Sequence, residues 1–107
     1  MKICVLGSGA FGLAIASLLS KNKNNNIMVC TSFKEEYEEL TRYHTHKRIF
    51  NDYTFENLNF SMEMKKVIND SKVIILAVPS NAIRDVLSKM KETLQNKILI
   101  FVSKGLE

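Results

Sequence analysis

The chain opens on Lys2-Ile3-Cys4-Val5-Leu6, whose apolar and β-branched residues follow one another without polar alternation until glycine interrupts them. A short run of this kind predicts a strand buried on both faces, as in a parallel sheet. Between residues 11 and 20 the pattern changes to Leu13, Ala14, Ile15, Ala16, Leu18 and Leu19, which predicts a helix packed close against that sheet. Residues 21–26 form a polar Lys/Asn turn, and Ile27-Met28-Val29-Cys30 reads as a second buried strand. The strand–helix–strand unit is then complete, and its parallel strands demand a right-handed crossover.

Residues 34–42 predict a charged helix with Glu35, Glu36, Glu38 and Glu39 mostly toward solvent. Residues 44–60 are irregular and aromatic, with Phe50, Tyr53, Phe55 and Phe60 after Tyr43. His44 and His46 stand two apart with no acid or cysteine at a ligand spacing, so they read as loop or helix-end residues and not as metal ligands. Ser61 is expected to cap a short helix over residues 62–69. Residues 72–78 are the strongest strand pattern in the chain, stopped by Pro79, with Ser80 expected to cap the next helix. In that helix Ile83, Leu87, Met90 and Leu94 recur at helical spacing, which predicts one buried face. Ile98-Leu99-Ile100-Phe101-Val102 is a further buried strand, followed by Ser103-Lys104-Gly105-Leu106-Glu107. Strands alternating with helices indicate an α/β doubly wound parallel sheet of Rossmann type, one domain over residues 1–107, with strand order 3-2-1-4-5. The third strand, around residues 57–61, carries the faintest pattern.

Candidate chemistry centres on Gly7-Ser8-Gly9-Ala10-Phe11-Gly12. The first glycine permits a tight turn out of the strand, the second lets backbone approach phosphate, and the third lets the helix pack on the sheet. The free N–H groups of the helix start, aided by the helix dipole, then face an anion. The motif follows a strand, opens a helix and precedes a second strand, which is the context for binding the pyrophosphate of a nicotinamide dinucleotide. The acid that holds an adenosine ribose is expected about 20 residues past the glycines, and counting from Gly12 reaches Ser32. No Asp or Glu occupies positions 30–33. Without that carboxylate, Ser32 and Lys34 are candidates for a 2′-phosphate, an expectation that leans toward NADP while keeping NAD open. Lys34 reads equally well as a solvated helix residue. Val78-Pro79-Ser80-Asn81 and Ser103-Lys104-Gly105 both follow strands, so they are expected to converge with the glycine turn over one crevice. Lys104 would bring a cation there, for phosphate or a polarised carbonyl.

Charge and cysteine content alter this picture little. Fifteen Lys and Arg against eleven Asp and Glu give a net charge of +4 among 107 residues. The lysines are scattered and arginine occurs only three times, which argues against nucleic acid and suits a small anionic ligand. Cys4 and Cys30 lie in predicted strands and read as buried, reduced thiols of a cytoplasmic protein. The apolar N-terminal run resembles a secretory signal, but its three glycines disfavour a helical signal core, and no stretch has the length of a membrane span.

Ile3 to Leu13, Ile75-Leu76-Ala77-Val78-Pro79-Ser80 with Arg84 downstream, and Ser103-Lys104-Gly105-Leu106-Glu107 together resemble the cofactor-binding domain of NAD(P)-dependent sn-glycerol-3-phosphate dehydrogenase. The last segment is the most specific of the three. The resemblance implies cofactor contacts at Ala10, Phe11 and Ser32, with Lys104 touching both cofactor and substrate. It also implies reduction of dihydroxyacetone phosphate to glycerol 3-phosphate, feeding phospholipid synthesis. A homo-oligomer is expected separately, because a sheet without its docking partner leaves apolar surface exposed. The chain departs from the family after the second strand, where a Trp and an Arg or His are usual, and between residues 49 and 56, where the family's prolines are missing. The family's helical second domain, with its catalytic lysine and most of the substrate pocket, has no counterpart here. No catalytic residue is therefore expected within this chain, which reads as a fragment or an isolated cofactor domain. A free-standing dinucleotide-binding module and another reductase of the same fold are the competing readings.

Overall fold

In the computed structural model, which describes residues 1–90 and 95–102, the apolar runs assemble into one parallel sheet. The elements in chain order are β1 (Lys2–Leu6), α1 (Ala10–Leu19), β2 (Asn26–Cys30), α2 (Lys34–Tyr43), β3 (Thr45–His46), β4 (Phe50–Thr54), β5 (Asn59–Ser61), α3 (Met64–Asp70), β6 (Val73–Leu76), α4 (Ser80–Lys89) and β7 (Ile98–Phe101). The sheet runs β5-β2-β1-β6-β7, which is the expected 3-2-1-4-5 when its strands alone are counted. β1 is central, with Val5 paired to Val29 on one side and Ile75 on the other.

Alternate residues of the central strands feed two separate cores, which is why these strands are apolar at every position. Ile3, Val5, Val73 and Ile75 face Leu13 and Ala16 of α1 and Leu40 of α2. Cys4, Leu6, Ile74 and Leu76 face Val67 and Ile68 of α3 and Met90 beyond α4. Leu13 and Leu76 are among the largest fully buried side chains, and shortening either to alanine removes about 2–5 kcal/mol.

Several local expectations are corrected. Residues 45–54 are not irregular but form the antiparallel hairpin β3–β4. Its aromatic residues cluster, with Phe55 packed 4.7 Å from Tyr53 and 5.5 Å from Phe50. Tyr53 also hydrogen-bonds Ser17 of α1 at 2.8 Å. Ser61 does not cap α3; Glu63 precedes that helix, and Ser61 Oγ accepts the Glu63 N–H at 3.0 Å as the chain turns out of β5. Ser80 is the first residue of α4 and not its cap. Pro79 holds that place, and its own carbonyl accepts the Ala82 N–H at 2.8 Å. The apolar stripe of α4 is only half-buried at Ile83 and Leu87, and buried at Met90. Leu94 lies outside the described residues.

Cys4 and Cys30 are free and buried, with their sulfurs 3.9 Å apart. The neighbouring Cys30 thiol and burial push the Cys4 thiol well above its ordinary range. Thiolate is the reactive form and both side chains are closed off from solvent, so neither cysteine should react with a thiol reagent in native buffer, and both should react in denaturant. Labelling of the native protein at the unfolded rate would contradict this packing.

β7 is an edge strand on which Ile98, Ile100 and Phe101 are each about half exposed. An apolar edge of this kind invites pairing with another chain. The 107-residue polypeptide should therefore self-associate in sedimentation, and Ile100→Lys should shift it toward monomer. A clean monomer at high concentration would count against this reading of β7.

Candidate functional site

Strand register sets the site. The pairings Leu6↔Cys30, Leu6↔Leu76, Cys30↔Ser61 and Leu76↔Phe101 bring the five strand ends abreast. The ladder extends one residue further, as Gly7 N–H donates to Cys30 O and Ala77 N–H to Leu6 O. Ligands of open parallel sheets lie outside this carboxyl edge. The glycine turn, Thr31-Ser32 and Val78-Pro79-Ser80 all emerge there, as the sequence predicts. Ser103, Lys104 and Gly105 lie outside the described residues.

Within the turn the three glycines have different reasons to be glycine. Gly7 has a φ of +118°, and a Cβ there would run into the carbonyl of Ala77. A Cβ on Gly12 would collide with the carbonyl oxygen of Gly7 and lie 3.3 Å from Ala77 Cβ. These two positions are closed by protein packing. Gly9 is the opposite case, for nothing lies within 4 Å of where its Cβ would be. That open space stands in front of the N-terminus of α1, whose N-cap is Gly9 and which no side chain caps. The first helical bond is Leu13 N–H to Gly9 O at 3.0 Å, so the N–H groups of Ala10, Phe11 and Gly12 precede the helical ladder. Uncapped donors, the positive end of the helix dipole and an unfilled approach fit a pyrophosphate. Phe11 and Pro79 are both exposed.

Next to the turn lies a buried polar chain that the sequence does not announce. The single Ser8 hydroxyl proton is shared between Thr31 Oγ1, at 2.8 Å, and Glu36 Oε1, at 3.3 Å. His46 Nε2 donates to the same Glu36 Oε1 at 2.5 Å. Glu36 thus turns away from the solvent face assigned to its helix, and His46 is a buried strand residue at 2% exposure and not a loop residue. His44 does end α2, in the left-handed region at φ 57°. That bend redirects the chain and returns His46 to Glu36. His46 Nδ1 has no hydrogen-bond partner among the described residues, an omission that costs about 1–3 kcal/mol when buried.

Glu39, on the same helix, is held differently. Burial pushes its pKa up, but the Lys47 N–H and the Thr45 hydroxyl outweigh that and hold the carboxyl below its usual range. Phe33, Glu35, Glu36, Glu39, His46 and Arg48 line an open cavity of about 430 Å³. Ser32 and Lys34 are exposed and are not part of that lining. The leaning toward NADP rested on the absence of a carboxylate near the end of β2. Residues 30–33 do lack a carboxylate, but in the fold that of Glu36 reaches from α2 to Ser8. Its signal in sequence was present but displaced, in the first turn of the helix rather than at the strand end. Among the described residues no three His, Cys, Asp or Glu side chains are grouped to hold a metal ion.

A family model described as "NAD-dependent glycerol-3-phosphate dehydrogenase N-terminus" matches residues 2–107. The chain belongs to this family. It is 37% identical over 108 residues to glycerol-3-phosphate dehydrogenase [NAD(P)+] of Lysinibacillus sphaericus, covering 99% of this chain and 32% of that protein. It is likewise 37% identical over 109 residues to the enzyme of that name from Fusobacterium nucleatum, covering 100% and 32%. Among solved structures, a Plasmodium falciparum glycerol-3-phosphate dehydrogenase superposes with a TM-score of 0.84 at 25% identity, covering 98% of this chain and 32% of that one. The chain therefore spans about a third of the length of the relatives it matches.

The glycine geometry gives a paired test. Gly12→Ala should lower unfolding free energy by about 1–3 kcal/mol through overpacking against backbone. Gly9→Ala meets open space and should cost less than about 1 kcal/mol, the scale of a poorer N-cap. Urea unfolding of both variants checks this, and equal losses would contradict the assignment.

Proposed function

We propose that this chain is the cofactor-binding part of an oxidoreductase that interconverts dihydroxyacetone phosphate and sn-glycerol 3-phosphate with NAD(P)H, supplying glycerophospholipid synthesis. The observation that carries the reading is the open space at Gly9 before the uncapped N-terminus of α1. Membership of the family and the names of the relatives agree with it. The backbone of Gly7, Ser8, Gly9, Ala10, Phe11 and Gly12 would hold the pyrophosphate, with Ser32 toward the adenosine end and Pro79 beside the nicotinamide half. Lys104 would contact both cofactor and phosphorylated substrate. A bound nicotinamide supplies the hydride for carbonyl reduction. This chain's residues supply binding and orientation. The 107-residue chain should bind dinucleotide and turn over little.

The working protein is proposed to be a homo-oligomer of the cytoplasm. Its free, buried cysteines suit a reducing compartment, and no helix among the described residues is long and apolar enough to cross a membrane. Fluorescence titration tests the cradle. NADH should bind saturably, and Gly9→Val should weaken binding by at least about tenfold while preserving the fold, since it fills the approach to phosphate. Undiminished binding in a folded Gly9→Val variant would refute the cradle, and rapid reduction of dihydroxyacetone phosphate by the 107-residue chain would refute the division of labour.

A further inference from the structure

The far end of α1, away from the glycine turn, borders two cavities that dinucleotide binding does not use. One, of about 230 Å³, lies between α1 and the β3–β4 hairpin, with Ala14, Leu18, Phe50, Tyr53 and Phe55 in its walls. Its two hydroxyls, of Ser17 and Tyr53, are hydrogen-bonded to each other at 2.8 Å. Leu18 and Tyr53 remain 65% and 46% exposed. The other cavity, of about 490 Å³, opens at the amino edge of the sheet among Lys21, Lys23, Asn25, Asn57 and Asn59. Lys21 lines both, so an apolar groove adjoins a cationic recess.

The two lysines are not spent on the fold. A lysine just past a helix ordinarily serves the last carbonyls of that helix. Here those carbonyls already have donors. Ser20 N–H donates to Ala16 O, Lys21 N–H to Leu18 O and Asn22 N–H to Leu19 O. Ser20 Oγ donates to Ser17 O, and Asn25 Nδ2 also donates to Leu19 O. Neither Lys21 nor Lys23 makes an ion pair among the described residues. Asp52 and Glu56, which flank the aromatic residues in sequence, line neither cavity. Two ammonium groups and the amides of Asn57 and Asn59 therefore border an open recess with no carboxylate in its lining.

We propose that this surface binds a single-chain alkyl phosphate, with the chain in the groove at Leu18, Phe50 and Tyr53 and the head at Lys21 and Lys23. A phosphate monoester carries a charge approaching about −2 at neutral pH, which two lysines match. The rings favour an alkyl chain over a flat nucleobase. Phe50, Tyr53 and Phe55 meet at interplanar angles of 53° to 84°, so no two offer parallel faces to a base. A concave lining suits one molecule, whereas a membrane surface calls for a protruding apolar face. The site is separate from the carboxyl edge. α1 has 10 residues, so about 15 Å of helix lie between Gly9 and Lys21, and the inference does not depend on the dinucleotide reading.

Calorimetric titration of hexyl, octyl and decyl phosphate, each below its micelle concentration, tests this on the purified protein. Affinity should rise about two- to fourfold per methylene, and octyl phosphate should raise the thermal midpoint, as a ligand of the native state does. Changing Lys21→Gln and Lys23→Gln together should weaken octyl phosphate about fivefold, the scale of two exposed charge pairs, and leave neutral 1-octanol unchanged. Leu18→Asn should weaken both. All three positions are exposed, so these variants should fold, and the chain-length series on the unaltered protein decides the matter even where one does not. Saturating octyl phosphate should leave NADH affinity unchanged. Binding that ignores chain length, or an unchanged affinity in the folded double-lysine variant, would overturn the inference. Displacement of octyl phosphate by NADH would place it in the glycine turn and overturn it too. Adsorption to vesicles of anionic lipid without binding of octyl phosphate would make this a membrane surface, with the same consequence.

Discussion

The turn between β1 and α1 is drawn against the end of β6 so tightly that two of its residues have no room for a side chain. Gly7 lies under the carbonyl of Ala77, and Gly12 lies under the carbonyl of Gly7. This contact fixes where α1 begins and how closely it approaches the sheet. Leu13 and Ala16 can then reach the core beside Val5, Val29 and Ile75. It also leaves the start of α1 uncapped at the carboxyl edge, with Gly9 in open space. Core packing and anion site are therefore two consequences of one close approach.

A second constraint is electrostatic. Burying a carboxylate is costly unless donors meet it, and Glu36 is met by Ser8 and His46. Ser8 belongs to the glycine turn, Glu36 to α2 and His46 to the β3–β4 hairpin. The hairpin is itself anchored to α1 by the Tyr53–Ser17 bond. Through these bonds the excursion between β2 and β5 is tied to the phosphate-facing turn. It is part of the site's frame and not a surface insertion.

What the sequence disclosed follows from how local each signal is. β1, β2, β6 and β7 were readable because each is a short apolar run bounded by turn residues, and the glycine turn because its spacing alone implies its geometry. The hairpin was not readable. Residues 50–54 are mostly exposed along the strand, so no alternation marks them, and their order comes from contacts among Phe50, Tyr53 and Phe55. Glu36 and His46 were missed for a related reason. A glutamate within an acidic helix and a lone histidine after it each have an ordinary explanation, and only the left-handed bend at His44 brings them together. The same holds at helix starts, where Ser61 and Ser80 looked like caps while Glu63 and Pro79 occupy those places.

The central claim is that the uncapped start of α1 receives the dinucleotide's phosphates, and backbone amide spectra test it most directly. Titrating NADH into ¹⁵N-labelled protein should move the amide resonances of Ser8, Gly9, Ala10, Phe11 and Gly12 most. Resonances along α3, which packs on the opposite face of the sheet, should stay in place. Saturable binding that leaves the turn's amides unmoved and shifts those of α3 instead would contradict the account.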